Sequence, residues 1–167
     1  MDYLELFQQR YSVRGYRPDP VEPEKLQQVL EAARLAPTAA NRQAFKVVVV
    51  KTAGREAELK QVYGREWFVE APLALAVCSI PEQCWVRSDR KNYSDVDAAI
   101  VMDHIILAAT AVGLGTCWIG AFDAAAARQV LQLDPAWEPV ALTPLGYAKE
   151  NTFKKVRKPL DELVVNR

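Results

Sequence analysis

The chain has 167 residues and a formal net charge of zero, with 21 basic and 21 acidic side chains. This length predicts a single domain over residues 1–167, and a composition that is 50% hydrophobic and 25% charged excludes a disordered or collagen-like chain. A neutral chain has no long-range field that attracts DNA or an anionic membrane, so we expect neither nucleic acid nor a membrane as a partner.

Hydrophobic periodicity and breaker residues predict helices and strands that alternate along the chain. The clearest helix, over 23–35, starts with Pro23 and is stopped before Pro37. The runs 45–50 and 71–80 lack polar alternation, which predicts strands that are covered on both faces. The predicted order is helix 3–10, helix 23–35, strand 45–50, helix 55–63, strand 71–80, a long helix from 94, strand 116–119, helix 124–131 and strand 140–145.

The long helix after residue 94 is apolar nearly all round, which predicts burial on several sides. Ser94 is its candidate N-cap, with Asp97 placed three residues later as in a capping box, and Gly113 is expected to end it. The stretch 96–112 is shorter than the about 20 residues of a bilayer span and contains charged groups. Because His104 lies on this almost wholly apolar helix, it is predicted to be a core residue and not a catalytic base.

Three cysteines, Cys78, Cys84 and Cys117, leave an odd count and no CxxC pair. This pattern argues against a disulfide framework and against a zinc site, and it favours a reducing, cytoplasmic location. The tail over 154–167 carries apolar residues beyond the last predicted strand. Such a tail needs a surface that covers it, and a partner subunit is one candidate.

The segment Arg10-Tyr11-Ser12-Val13-Arg14 places two arginines and a hydroxyl where the first helix gives way to a loop. Such a group offers forked donors to a phosphate or to a polarised ring, although a solvated helix end has the same composition. The segment 37–43 contains small residues and two amide side chains, which would let a ligand approach the backbone. An ordinary connection between a helix and a strand has the same composition. The cations of 154–158 could hold a phosphate dianion or form a solvated patch.

In this order, these segments resemble the nitroreductase family of FMN-binding flavoproteins. Residues 10–16 match its pattern Arg-x-Ser-x-Arg-x-aromatic, and residues 37–43 match Pro-Ser/Thr-x-x-Asn-x-Gln. The family's Gly-Leu-Gly and following short strand are matched by 113–121, and its Lys-x-Arg-x-Pro by 155–159. The chain departs from the pattern at Ala39 and Ala44, where many members carry Ser and Pro.

The resemblance implies an α+β fold, a three-layer α/β/α sandwich with a mostly antiparallel central sheet. It also implies an intertwined homodimer, whose C-terminal tail packs on the partner subunit and which binds FMN at the subunit interface. No catalytic side chain and no metal are implied, since FMN carries the chemistry. The implied cofactor-binding residues are Arg10, Tyr11, Ser12, Arg14, Pro37, Thr38, Ala39, Asn41, Gln43, Ile119, Gly120, Ala121, Lys155 and Arg157.

In that family arrangement, Arg10, Ser12 and Arg157, with Lys155, hold the FMN phosphate and ribityl chain. Arg14 lies near the pyrimidine edge of the flavin, where a guanidinium stabilises negative charge. The loop 37–43 comes from the other subunit, and the backbone of 119–121 passes beside the ring.

The implied activity is that of an FMN-dependent oxidoreductase, which takes hydride from NAD(P)H and reduces a nitroaromatic, a quinone or a flavin by a ping-pong mechanism. The alternative is a non-catalytic FMN-binding protein that stores or senses flavin, and the short connection 81–95 leaves both open. Trp67, Trp85 and Tyr93 are candidates for an aromatic wall of the substrate pocket, or for plain packing.

Overall fold

Four antiparallel strands form the central sheet of the protein, whose computed structural model describes residues 2–149 and 155–167. The strands lie in the order β1-β2-β4-β3. They are β1 (Phe45–Lys51), β2 (Leu73–Ser79), β3 (Gly115–Thr116) and β4 (Glu138–Gly146). The helices are α1 (Tyr3–Gln9), α2 (Pro23–Leu35), α3 (Glu56–Val62), α4 (Glu66–Glu70), α5 (Ser94–Ala111) and α6 (Ala124–Val130), with short 3-10 turns at Ala39–Asn41 and Leu160–Glu162.

The side chains of β2 alternate between two apolar cores, as the two-residue period of a strand requires. Leu73, Leu75 and Val77 pack with α2 and α5 on one face of the sheet. Ala74 and Ala76 pack on the opposite face, with residues of α3, α4 and α6. The predicted α/β/α sandwich with an antiparallel sheet is therefore confirmed.

The two strands predicted to be covered on both faces differ in the structure. Every residue of β2 is buried, because β2 lies between β1 and β4. Strand β1 is the edge of the sheet, and Val50 is its only buried residue. Its side chains still pack on both faces of the sheet, with Val47 in one core and Val48 and Val50 in the other, so the predicted coverage of both faces is confirmed. An uninterrupted run of valines does not, however, distinguish an edge strand from a central one.

The start of the long helix also differs from the prediction. Tyr93 is the N-cap of α5, and Ser94 is its first helical residue. The Asp97 carboxylate does not complete a capping box; its Oδ1 accepts a hydrogen bond from the backbone N–H of Ala39 at 2.9 Å. The predicted end is confirmed, because Gly113 has a φ of +79°, which glycine adopts readily.

Other elements agree closely with their predicted positions, and the disagreements are local. Helix α2 begins and ends at the predicted residues, and α1, α3 and α6 agree within two residues at each end. The single turn α4 was missed because it is too short to show helical periodicity. No helix among residues 2–149 and 155–167 has both the length and the apolar character that crossing a bilayer requires.

The N-terminal segment is fastened to the sheet beside β3. The N–H of Val13 donates to the carbonyl of Thr116 at 2.9 Å, and Ser12 pairs with Thr116 in a parallel bridge. This approach requires a glycine, because a Cβ at Gly115 would lie 2.8 Å from Cγ2 of Val13. Gly115 thus fixes where residues 10–14 cross the fold.

We expect Gly115→Ala to lower the free energy of unfolding by about 1–3 kcal/mol, because the added methyl overpacks a contact with buried Val13. The measurement is urea unfolding monitored by circular dichroism. Gly64→Ala is the matched control, since its Cβ would meet only the Lys60 carbonyl at an ordinary 3.7 Å. Equal stabilities of the two variants would contradict the close approach of Val13 to β3.

Candidate functional site

Residues 10–14 cross the surface in an extended conformation after α1 ends. Arg10 is the C-cap of α1, with a φ of −60° and a ψ of 124°. In extended backbone, alternate residues share one side, so Val13 is buried while Ser12 and Arg14 lie toward the opposite side. This alternation presents the two arginines and the serine together.

These residues line a crevice of about 220 Å³ with the C-terminal segment. We call it the basic crevice, and its lining residues are Arg10, Tyr11, Ser12, Arg14, Lys155, Val156 and Arg157. Two sequence segments that were predicted independently to bind phosphate are thereby brought together. An adjoining cavity of about 430 Å³ shares three of its cations and adds Leu4, Phe7, Gln8, Asp103 and Leu107.

The positive charges of the basic crevice are not neutralised by ion pairs in the part of the chain that the structure describes. None of the ion pairs within residues 2–149 and 155–167 involves a cation of the crevice. Desolvation lowers the pKa of the Lys155 ammonium, and the charges of Arg10 and Arg157 lower it further. Like charges held this close favour a bound anion, because an anion would relieve their repulsion.

The ammonium of Lys155 was expected to bind a phosphate, but it contacts backbone carbonyls of this chain. Its Nζ donates to the backbone carbonyls of Phe7 at 2.5 Å, Gln8 at 2.9 Å and Arg10 at 2.6 Å. An ammonium has three N–H donors, so all of them are used at the C-terminal end of α1. Lys155 therefore fastens the tail to the helix that carries Arg10, and it offers an anion its charge rather than a hydrogen bond.

The segment that follows β3 borders the basic crevice. Burial raises the pKa of the Cys117 thiol, while the neighbouring Arg14, Ser12 and Arg10 partly oppose that shift. Ile119 is buried, and its backbone exchanges two hydrogen bonds with Leu142, at 2.8 and 3.0 Å.

After Ile119 the segment turns outward. Gly120 and Ala121 are exposed, and a Cβ at Gly120 would meet open space. The predicted residues 119–121 thus lie on a segment that runs from the buried interior to the surface, where its backbone is accessible.

The loop of small residues before β1 has a strained backbone. Ala40, Asn41 and Gln43 have φ values of 51°, 53° and 52°, in the left-handed region that non-glycine residues avoid. Each such residue costs about 1 kcal/mol or more, and such strain concentrates at functional sites. Thr38 stabilises the loop, because its Oγ1 accepts the N–H of Gln43 at 2.9 Å.

This loop, residues 37–43, is held at the start of α5 through Asp97, and no residue of it lines the basic crevice. Pro37, Asn41 and Gln43 are exposed. Within this chain, the fold therefore brings together the predicted residues 10–14 and 155–157, and no residue of the predicted segment 37–43 lines the basic crevice with them. Sequence reasoning missed Asp97 as the anchor of this loop, because the two are 58 residues apart.

The three residues considered for an aromatic wall make ring contacts within the chain. Trp67 packs against Tyr63 with ring centroids 5.5 Å apart, and Trp85 packs against Tyr93 at 5.0 Å. These contacts favour packing roles. Trp118, beside the crevice segment, is instead 41% exposed.

The chain matches the model of the nitroreductase family over residues 7–80 and 59–147. It belongs to the nitroreductase family. A nitroreductase family protein from Clostridium difficile 630 has a solved structure that is 35% identical, with a TM-score of 0.90, and the match covers 99% of this chain and 98% of that one. This agreement over nearly the whole of both chains matches the sandwich described above.

Two further relatives carry functional descriptions. A structure from Desulfovibrio desulfuricans, solved in complex with FMN, is 26% identical with a TM-score of 0.85, over 98% of this chain and 95% of that one. A protein of Thermus thermophilus named NADH dehydrogenase is 28% identical over 93% of this chain and 91% of its own length.

We expect Ala40→Gly to raise the free energy of unfolding by about 0.5–1 kcal/mol, because glycine adopts a positive φ without a steric penalty. Ala125→Gly, at an exposed position in α6, should lower it by a similar amount, since glycine loses more entropy in a helix. Thermal unfolding of both variants checks the opposite signs. A loss of stability in Ala40→Gly would contradict the left-handed conformation of the loop.

Proposed function

We propose that this nitroreductase is an FMN-dependent oxidoreductase that takes hydride from NAD(P)H and reduces a nitroaromatic, a quinone or a flavin by a ping-pong mechanism. The observation that carries the proposal is the basic crevice, in which cations from two distant segments meet and, among residues 2–149 and 155–167, form no ion pair. Family membership, the relative in complex with FMN and the relative named NADH dehydrogenase support the choice of cofactor and donor.

The residues of the crevice fit the phosphate of FMN. Guanidinium groups bind phosphate oxygens through paired N–H donors, and a serine hydroxyl adds a further donor. Arg10, Ser12 and Arg157 would hold the phosphate and ribityl chain, and Lys155 would add positive charge while it fixes the end of α1. Tyr11 also lines the crevice.

Bound FMN would supply a ring that accepts hydride and passes electrons on, so no catalytic acid or base of the protein is needed for that step. Arg14 would provide a fixed positive charge that stabilises the anionic form of the ring. The exposed backbone at Gly120 and Ala121 would let a flat ring approach without a side chain between them. We assign no such role to His104, whose Nδ1 is 3.0 Å from the carbonyl of Ile100 within its own helix.

We also infer a homodimer of single-domain subunits, in which the loop 37–43 of one copy completes the flavin site of the other. The loop and the basic crevice lie apart within one subunit, as a shared site requires. Apolar side chains of α1, Tyr3 and Phe7, and of the tail, Leu160 and Val165, are at least half exposed. A partner subunit would cover them, so we assign the tail from about residue 154 to the dimer contact, although 150–154 lie outside the described residues.

A cytoplasmic location is part of the proposal. Cys78, Cys84 and Cys117 are all buried free thiols, and a reducing compartment suits them.

Arg10→Ala and Arg157→Ala should each weaken FMN binding at least about tenfold, because each removes a charge-assisted contact with phosphate. Quenching of flavin fluorescence on titration gives the dissociation constant. Arg65→Ala is the control, since Arg65 is an exposed arginine away from the crevice. Unchanged affinity in both crevice variants would overturn the assignment of the phosphate site.

The oxidoreductase and the flavin store make different predictions for the protein loaded with FMN. Under anaerobic conditions, we expect NADH or NADPH to bleach the flavin absorbance in stopped flow. The subsequent addition of a nitroaromatic, a quinone or free flavin should restore it. A flavin that binds and stays oxidised with both nucleotides would favour storage or sensing.

A further inference from the structure

The carboxylate of Asp97 is buried in an unusual way. Asp97 lies in the first turn of α5 and is 2% exposed. Its Oδ1 accepts the N–H of Ala39 at 2.9 Å, while its Oδ2 is buried with no hydrogen-bond partner within the described chain. A half-satisfied buried carboxylate destabilises a fold, so an apolar residue here would pack at a lower cost.

Two features of the position of Asp97 stabilise its carboxylate and strengthen its hydrogen bond with Ala39. The N-terminal end of an 18-residue helix carries partial positive charge, which favours a carboxylate in the first turn. A charged acceptor also forms a stronger hydrogen bond with an N–H than a neutral one does. The bond to Ala39 is therefore a strong anchor.

That bond is made at the point where the loop 37–43 is under strain. Ala39 immediately precedes Ala40 and Asn41, both with positive φ. The hydrogen bonds from Asn41 N–H to the Thr38 carbonyl and from Gln43 N–H to Thr38 Oγ1 lie within the loop. The bond to Asp97 differs from these, because it connects the loop to a rigid helix of the core.

We propose that Asp97 is a positioning residue, which holds the loop 37–43 in the strained conformation that receives the flavin. This rests on the proposed function, in which that loop contacts FMN. Asp97 itself is covered by the surrounding chain, and it acts through Ala39. The unpaired oxygen lowers the stability of the fold. In return, the loop 37–43 is already ordered before the cofactor binds, so that binding loses less conformational entropy.

The test uses three variants of the full chain. Asp97→Ala removes the acceptor, Asp97→Asn keeps an oxygen that can accept from Ala39, and Asp95→Asn removes an exposed charge from the same helical turn. We expect Asp97→Ala to weaken FMN binding roughly 10- to 100-fold, the effect of losing a hydrogen bond to a charged group. Asp97→Asn should recover most of that loss, and Asp95→Asn should bind as the unaltered protein does.

Hydrogen exchange of the protein without FMN separates this proposal from the proposed function. The Ala39 and Asn41 amides should exchange faster in Asp97→Ala than in Asp97→Asn, whether or not the protein binds flavin. Unaltered protein that fails to bind FMN would refute the cofactor assignment alone. Equal exchange in the two Asp97 variants would overturn the positioning role, and so would equal loss of FMN affinity in both. If Asp97→Ala does not fold, Asp97→Ser, whose hydroxyl is too short to reach Ala39, replaces it.

Discussion

Repulsion between cations that share the basic crevice, where the described part of the chain forms no ion pair with them, is the interaction on which the candidate site depends. Desolvation lowers the pKa of Lys155, and the charges of Arg10 and Arg157 lower it further. Arg157 is a neighbour of Lys155 along the chain, whereas the fold brings Arg10 to them from a segment about 145 residues away. The fold maintains this repulsion through the bonds from Lys155 to the end of α1, and a bound anion would relieve it.

The sheet supplies the rigid frame that holds those charges in place. Residues 10–14 lie beside β3 because glycine at position 115 lets Val13 approach the strand. The same strand leads into Cys117 and Ile119, so one edge of the sheet carries both the arginine segment and the backbone proposed to face the flavin ring. A movement of this edge of the sheet would therefore displace the arginine segment and the backbone after β3 together.

The loop 37–43 is held in a different way, because its backbone is strained and hydrogen bonds rather than packing keep it in place. Three left-handed residues would relax in a free peptide, and Asp97 and Thr38 hold them through directional hydrogen bonds. The loop is also the part of the predicted site that does not line the basic crevice within this chain. Order before binding matters most for such a loop, because a flexible one would lose conformational entropy when the flavin enters.

The sequence by itself determined the helix from Pro23 to Leu35, the central strand β2 and the segments that identify the family. Local periodicity, proline and glycine placement and motif spacing are properties of neighbouring residues, so they can be read along the chain. Tertiary structure alone decided that β1 is an edge strand, that Asp97 anchors Ala39 rather than capping its own helix, and that the donors of Lys155 are used by α1. Each of these depends on which distant residues share space, because a buried polar group takes whichever partner the packing brings within reach.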